Sequence, residues 1–145
     1  MAVKDNFQIR HIRTSACNRA YYELYPPAQR TAICIQSLYD AGATIVGTTK
    51  LASFAATEEP MECIDWPAPF NPRADGYQSP AGSSSGSGVA AAAYEWLDIT
   101  IGSDSENQAN RSCFFTYITS KWKRPPPWAL EWVLRHAFFS RLPLP

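Results

Sequence analysis

The run Gly82-Ser83-Ser84-Ser85-Gly86-Ser87-Gly88 leads directly into Val89 and four consecutive alanines. This feature constrains the chain more than any other. Ala-rich sequence is strongly helix-forming, so a helix is expected over 89–96. Glycine lets another backbone come close, and a helix start presents unpaired N–H groups and a positive dipole end. Such a place suits an anion or a polarised oxygen. On its own, a flexible linker before a capped helix is the plainer reading. No Gly-Lys-Ser/Thr follows, which excludes a phosphate-binding P-loop.

The rest of the chain reads as α/β. Val3, Phe7 and Ile9 give residues 2–9 strand character. A helix is expected over 26–42: Pro26 and Pro27 suit its first turn, Ile33, Ile35 and Leu38 recur at helical spacing, and Gly42 closes it. Thr44-Ile45-Val46-Gly47 reads as a short buried strand, 51–57 as a short helix, 60–82 as proline-rich loop and 98–102 as a strand. After Asp104 the α/β alternation stops. The tail 105–145 holds a Lys121-Trp122-Lys123-Arg124 patch, the run Pro125-Pro126-Pro127, a terminal Leu142-Pro143-Leu144-Pro145 and one short amphipathic stretch around Trp128, Trp132 and Phe138. Two units are expected, 1–104 and an irregular 105–145.

Charge and cysteine content exclude several classes. The 13 Lys plus Arg balance 13 Asp plus Glu, so there is no electrostatic footprint for nucleic acid or an anionic membrane. Cys17, Cys34, Cys63 and Cys113 form no C-x-x-C pair, and two histidines complete a poor set for zinc. The N-terminus lacks an apolar signal core, and the apolar stretch 89–97 is too short to span a bilayer. A soluble, cytoplasmic protein is expected.

Three segments, in order, then raise the significance of the serine run. Ala2-Val3-Lys4-Asp5-Asn6-Phe7 comes first. Gly42-Ala43-Thr44-Ile45-Val46-Gly47-Thr48-Thr49-Lys50, with Phe54-Ala55 beyond, is second. Phe70-Asn71-Pro72-Arg73 and Ser79-Pro80-Ala81-Gly82-Ser83-Ser84-Ser85-Gly86-Ser87, followed by Gly102-Ser103-Asp104, form the third. Together they resemble the amidase signature family, hydrolases that cleave carboxamides with a Ser-Ser-Lys triad. The tyrosine-rich 18–22 and the 94–98 segment resemble a fungal branch.

The resemblance implies a partial α/β amidase-signature fold, a mixed sheet flanked by helices, with no metal and no organic cofactor. It implies a small carboxamide as the parent family's substrate. It assigns Lys4 as the catalytic base and Ser83 as the bridging serine, held by a cis peptide bond. Lysine suits a base because burial lowers its pKa, and serine needs such a neighbour to become a nucleophile. Lys50 is a surface or structural residue on this view, and Ser84, Ser85 and Ser87 are loop hydroxyls and helix caps.

The pattern then breaks. Aligned on Gly102-Ser103-Asp104, the family's nucleophilic serine falls on Gln108, and its Gly-Gly oxyanion cradle falls on Glu106-Asn107. Glutamine cannot form an acyl-enzyme, and Glu106 brings negative charge to a developing oxyanion. Ser105 and Ser112 are displaced too far to keep attack geometry. A truncated, inactive family member is therefore expected, with marginal stability because sheet edges and apolar faces lack partners. The Ser105-Glu106 pair is encodable as AGTGAG, which contains a splice-donor sequence, so the expected origin of the tail is a retained intron. The alternatives are an active amidase with a displaced serine nucleophile, and an interaction module using the basic, Trp-rich tail.

Overall fold

The computed structural model describes residues 1–56, 63–73, 75–77 and 82–103. Gln108, Ser105, Ser112 and the whole 105–145 tail lie outside them. Three short strands, β1 (Ala2–Lys4), β2 (Gly47–Thr49) and β3 (Thr100–Ile101), make one sheet in the order β2-β1-β3. Both pairings are parallel. Lys4 lies opposite Thr49, Ala2 opposite Gly47 and Thr100, and Val3 opposite Ile101. Helices α1 (Arg19–Leu24) and α2 (Ile33–Asp40) fill the β1–β2 connection, and α3 (Ser85–Ala93) fills the β2–β3 connection. Parallel neighbours require such crossovers, which gives the expected α/β class.

Strand alternation sorts the two faces. Met1 and Val3 join Ile35 and Leu38 of α2, with Phe7, Ile9 and Ile101, in the main apolar cluster. Ala2 points the other way and packs with Ala90 of α3 and Leu97. Lys4, two residues after Ala2, therefore falls on the α3 side. That side is built from small and polar residues: Thr49 and Ser87 share a 2.8 Å hydrogen bond between hydroxyls, and the Ser87 hydroxyl also donates to Ile101 O at 3.0 Å.

Several boundaries differ from the sequence reading. β1 ends at Lys4, where the Phe7 N–H turns back to Lys4 O, so 5–9 is not strand. α2 begins at Ile33, well after Pro26 and Pro27. The intervening backbone is committed elsewhere: Ala28 exchanges bonds with His11 and Ile12, and the Ala32 N–H reaches Gln8 O. Gly42 does close α2, with φ +96, the Gly42 N–H on Tyr39 O and the Ala43 N–H on Leu38 O, a Schellman arrangement. The second strand is 47–49 rather than 44–47, and only Thr49 of it is buried. Helix α1 falls where the sequence pattern indicated no element. Its start is capped by Asn18, whose side-chain oxygen accepts from Tyr21 N–H.

Two other features position the Lys4 face. Helix α3 starts inside the serine run, at Ser85, because Gly86 allows the Lys50 backbone to lie against it. The Gly86 N–H donates to Lys50 O at 3.1 Å, and a Cβ there would sit 2.5 Å from Lys50 N. The buried Asp5 carboxylate takes both the Ser15 N–H and the Ser15 hydroxyl on one oxygen, which fixes the loop ahead of α1. Large apolar side chains remain uncovered: Leu24 is 77% exposed, Ile33 75% and Ile64 93%. No described residue covers these side chains.

Replacing Gly86 by Ala is expected to cost about 1–3 kcal/mol, since only backbone movement relieves the clash. Gly88→Ala, where a Cβ meets open space, is expected to gain about 0.5–1 kcal/mol. Urea denaturation of the two variants checks this contrast.

Burial raises the Asp5 pKa, and the Ser15 and Ala16 hydrogen bonds only partly offset it. A raised folded pKa means the folded state holds its proton more tightly than the unfolded chain. This contribution to stability is present at low pH and is lost as pH rises from the normal carboxylate range through the raised value. Asp5→Asn keeps an acceptor for Ser15 and removes the titration. Its unfolding midpoint is expected to fall less over that window than the parent's, and to be higher at neutral pH.

Candidate active site

Lys4 is fully buried, and its ammonium sits among three serine hydroxyls. Nζ lies 3.0 Å from Ser83 Oγ, 2.9 Å from Ser84 Oγ and 2.9 Å from Ser103 Oγ, with Ser103 O at 3.3 Å. These partners are 79 to 99 positions away in the chain. They come from the loop that enters α3 and from the end of β3. A buried cation is tolerated only when its N–H groups are satisfied, and an ammonium has three to place.

The three hydroxyls are not equivalent. Ser84 Oγ donates to Ser103 O at 3.1 Å and accepts from the Ser103 N–H at 3.2 Å, so its proton is committed to holding the end of β3. Ser103 Oγ accepts from Lys4 and from Asn6 Nδ2, the latter at 3.0 Å, and its own proton has no acceptor among the described residues. Ser83 Oγ contacts only Lys4 among the described residues. Ser83, Ser84 and Ser103 are half-buried and Asn6 is exposed, so the cluster opens to solvent on the hydroxyl side. If Lys4 loses a proton, Ser83 and Ser103 are the hydroxyls positioned to donate to it. A cleft of about 370 Å³ lined by Gln8, Thr14, Tyr21, Tyr25 and Arg30 shares no residue with this cluster.

The Amidase family model matches residues 1–106. The chain belongs to the amidase signature family. Among curated relatives, a glutamyl-tRNA(Gln) amidotransferase subunit from Natronomonas pharaonis is 37% identical over 105 residues, 72% of this chain and 24% of that protein. The corresponding protein from Haloarcula marismortui is 38% identical with the same coverage. The chain thus spans about a quarter of the length of these relatives. Solved amidase-signature structures overlay on 71% of it. One belongs to a vestigial protein complex bearing on the origins of an s-triazine catabolic enzyme, with TM-score 0.63, 35% identity and 22% of that chain covered. Another is the glutamyl-tRNA(Gln) amidotransferase subunit from Thermotoga maritima, with TM-score 0.61, 28% identity and 22% covered.

The fold brings together Lys4 and Ser83, the two site candidates singled out in the sequence. Gln108, aligned with the family's nucleophile, lies outside the described residues. Ser83 does not sit on the cis peptide bond that the resemblance implied: every described peptide is trans, and Gly82 enters with φ +88. Lys50 is exposed, and its ammonium donates to Pro67 O at 3.0 Å, as befits a structural lysine.

Ser84 and Ser103 are the site residues the sequence reading missed. Ser84 precedes α3 but makes no side-chain cap bond, because its oxygen is occupied by Lys4 and Ser103. Ser103 registered only as part of the Gly102-Ser103-Asp104 match. Neither contact leaves a periodic trace in the sequence. Ser85 and Ser87 are not caps either. Ser87 bridges Thr49 and Ile101, whereas Ser85 Oγ is buried with no hydrogen-bond partner among the described residues.

That difference predicts opposite effects within one helical turn. Ser85→Ala removes an unsatisfied hydroxyl and is expected to stabilise by about 1 kcal/mol. Ser87→Ala strips two buried partners and is expected to destabilise by about 1–3 kcal/mol. Chemical denaturation of the pair distinguishes them.

Proposed function

We propose that this chain carries the proton-relay half of an amidase signature site, with Lys4 as base and Ser83 as bridging hydroxyl, and does not sustain carboxamide hydrolysis by itself. The observation that carries this reading is the 3.0 Å approach of Lys4 Nζ to Ser83 Oγ within a fully buried lysine environment. As a base, Lys4 would take up the Ser83 proton as a neutral amine. A proton leaving Ser83 for Lys4 would let Ser83 take one in turn from an attacking hydroxyl.

The sequence supplies no serine at the nucleophile's place. Gln108 stands there, and Glu106-Asn107 stand where a Gly-Gly pair would offer N–H groups to an oxyanion. Loss of one triad member leaves only residual catalysis. On this reading residues 1–104 form the family segment and 105–145 a tail outside it, and the parent activity is hydrolysis of a small carboxamide. No helix among the described residues is long and apolar enough to cross a membrane. A cytoplasmic setting fits the composition.

The purified chain, offered a panel of aliphatic and aryl carboxamides, is expected to release no ammonia above the uncatalysed rate. Steady turnover that disappears in both Lys4→Ala and Ser83→Ala would overturn the proposal.

A further inference from the structure

We infer that Ser103 is an acyl- and phosphonyl-accepting hydroxyl served directly by Lys4, a reactive site distinct from the triad nucleophile and resting on the reading of Lys4 as base. Three observations point to it. Ser103 Oγ is 2.9 Å from Lys4 Nζ, so no intermediary hydroxyl is needed between nucleophile and base. Its proton has no acceptor among the described residues, whereas that of Ser84 is spent on Ser103 O. The exposed Asn6 amide donates to the same oxygen at 3.0 Å and fixes its orientation, so that the free hydroxyl proton is directed away from Asn6.

Position favours reactivity as well. Ser103 sits just past β3, and open α/β sheets bind ligands beyond the carboxyl ends of their strands. It is half-buried between the buried Lys4 and the exposed Asn6, so an electrophile arriving from solvent reaches the oxygen on the Asn6 side. Ser83, by contrast, has no neighbouring amide donor among the described residues.

With an alkyl fluorophosphonate, the step balances as follows. The Ser103 Oγ–H proton passes to neutral Lys4, an Oγ–P bond forms, the P–F bond breaks and fluoride leaves. With an activated aryl ester, an Oγ–C bond forms and the aryl oxide departs, leaving an acyl-serine. An ordinary carboxamide has a far poorer leaving group, so one-time modification at Ser103 is compatible with absent amide turnover.

The test is to treat the purified full chain with an alkyl fluorophosphonate and map the adduct by peptide mass spectrometry. One adduct on Ser103 is expected, lost in Ser103→Ala and formed about tenfold more slowly in Asn6→Ala, which loses the contact that orients the hydroxyl. Asn6 is exposed, so that variant keeps the test interpretable if a buried Lys4→Met chain fails to fold; circular dichroism checks each fold. No adduct, or an adduct on Ser83 or Ser84 instead, overturns the inference and leaves the relay reading intact. Labelling of Ser103 at an unchanged rate in a folded Lys4→Met chain overturns the role of Lys4 on which both rest. Steady amide release that survives Ser103→Ala counts against the relay-only reading alone.

Discussion

Burying the amino group of Lys4 is the constraint around which this molecule is arranged. Removing such a cation from water costs several kcal/mol unless hydrogen bonds replace its hydration. Here they come from Ser83, Ser84 and Ser103, none of them near Lys4 in sequence. The same contacts therefore tie the first strand, the entrance to α3 and the end of the last strand to one point. Ser84 tightens this further by bonding Ser103 through both backbone groups. A network of this type is stable only when complete, because an unpaired polar group in it is costly.

The two sheet faces divide the labour. One is apolar and packs α2 on Val3 and Ile101. The other is lined by small residues, and α3 approaches closely enough that Gly86 touches the Lys50 backbone. Alanine, glycine and serine in α3 are thus a packing requirement as much as a source of hydroxyls. Close approach brings the start of α3 within hydrogen-bond reach of a side chain standing up from β1. Larger residues there would hold the helix away and lengthen the Lys4–Ser83 contact.

The segment covers about a quarter of its relatives. It contains Lys4, the serine loop and the three strands that hold them together. Its exposed Leu24, Ile33 and Ile64 show apolar surface without cover among the described residues. In a small unit this leaves less buried area to offset chain entropy.

The sequence alone determined the α/β class, the Gly42 helix stop and the pairing of Lys4 with Ser83. Each is written in local chemistry or in an ordered set of motifs. It misplaced the start of α2, because the backbone of 28–32 bonds to residues 8–12, and no local propensity encodes such a partner. It also overlooked α1, Ser84 and Ser103. Only the tertiary structure decided which serines reach the lysine. Strand alternation sets the face on which Lys4 stands, but crossover geometry and the close seating of α3 choose its neighbours. Those are long-range distances, and a linear pattern of residues does not contain them.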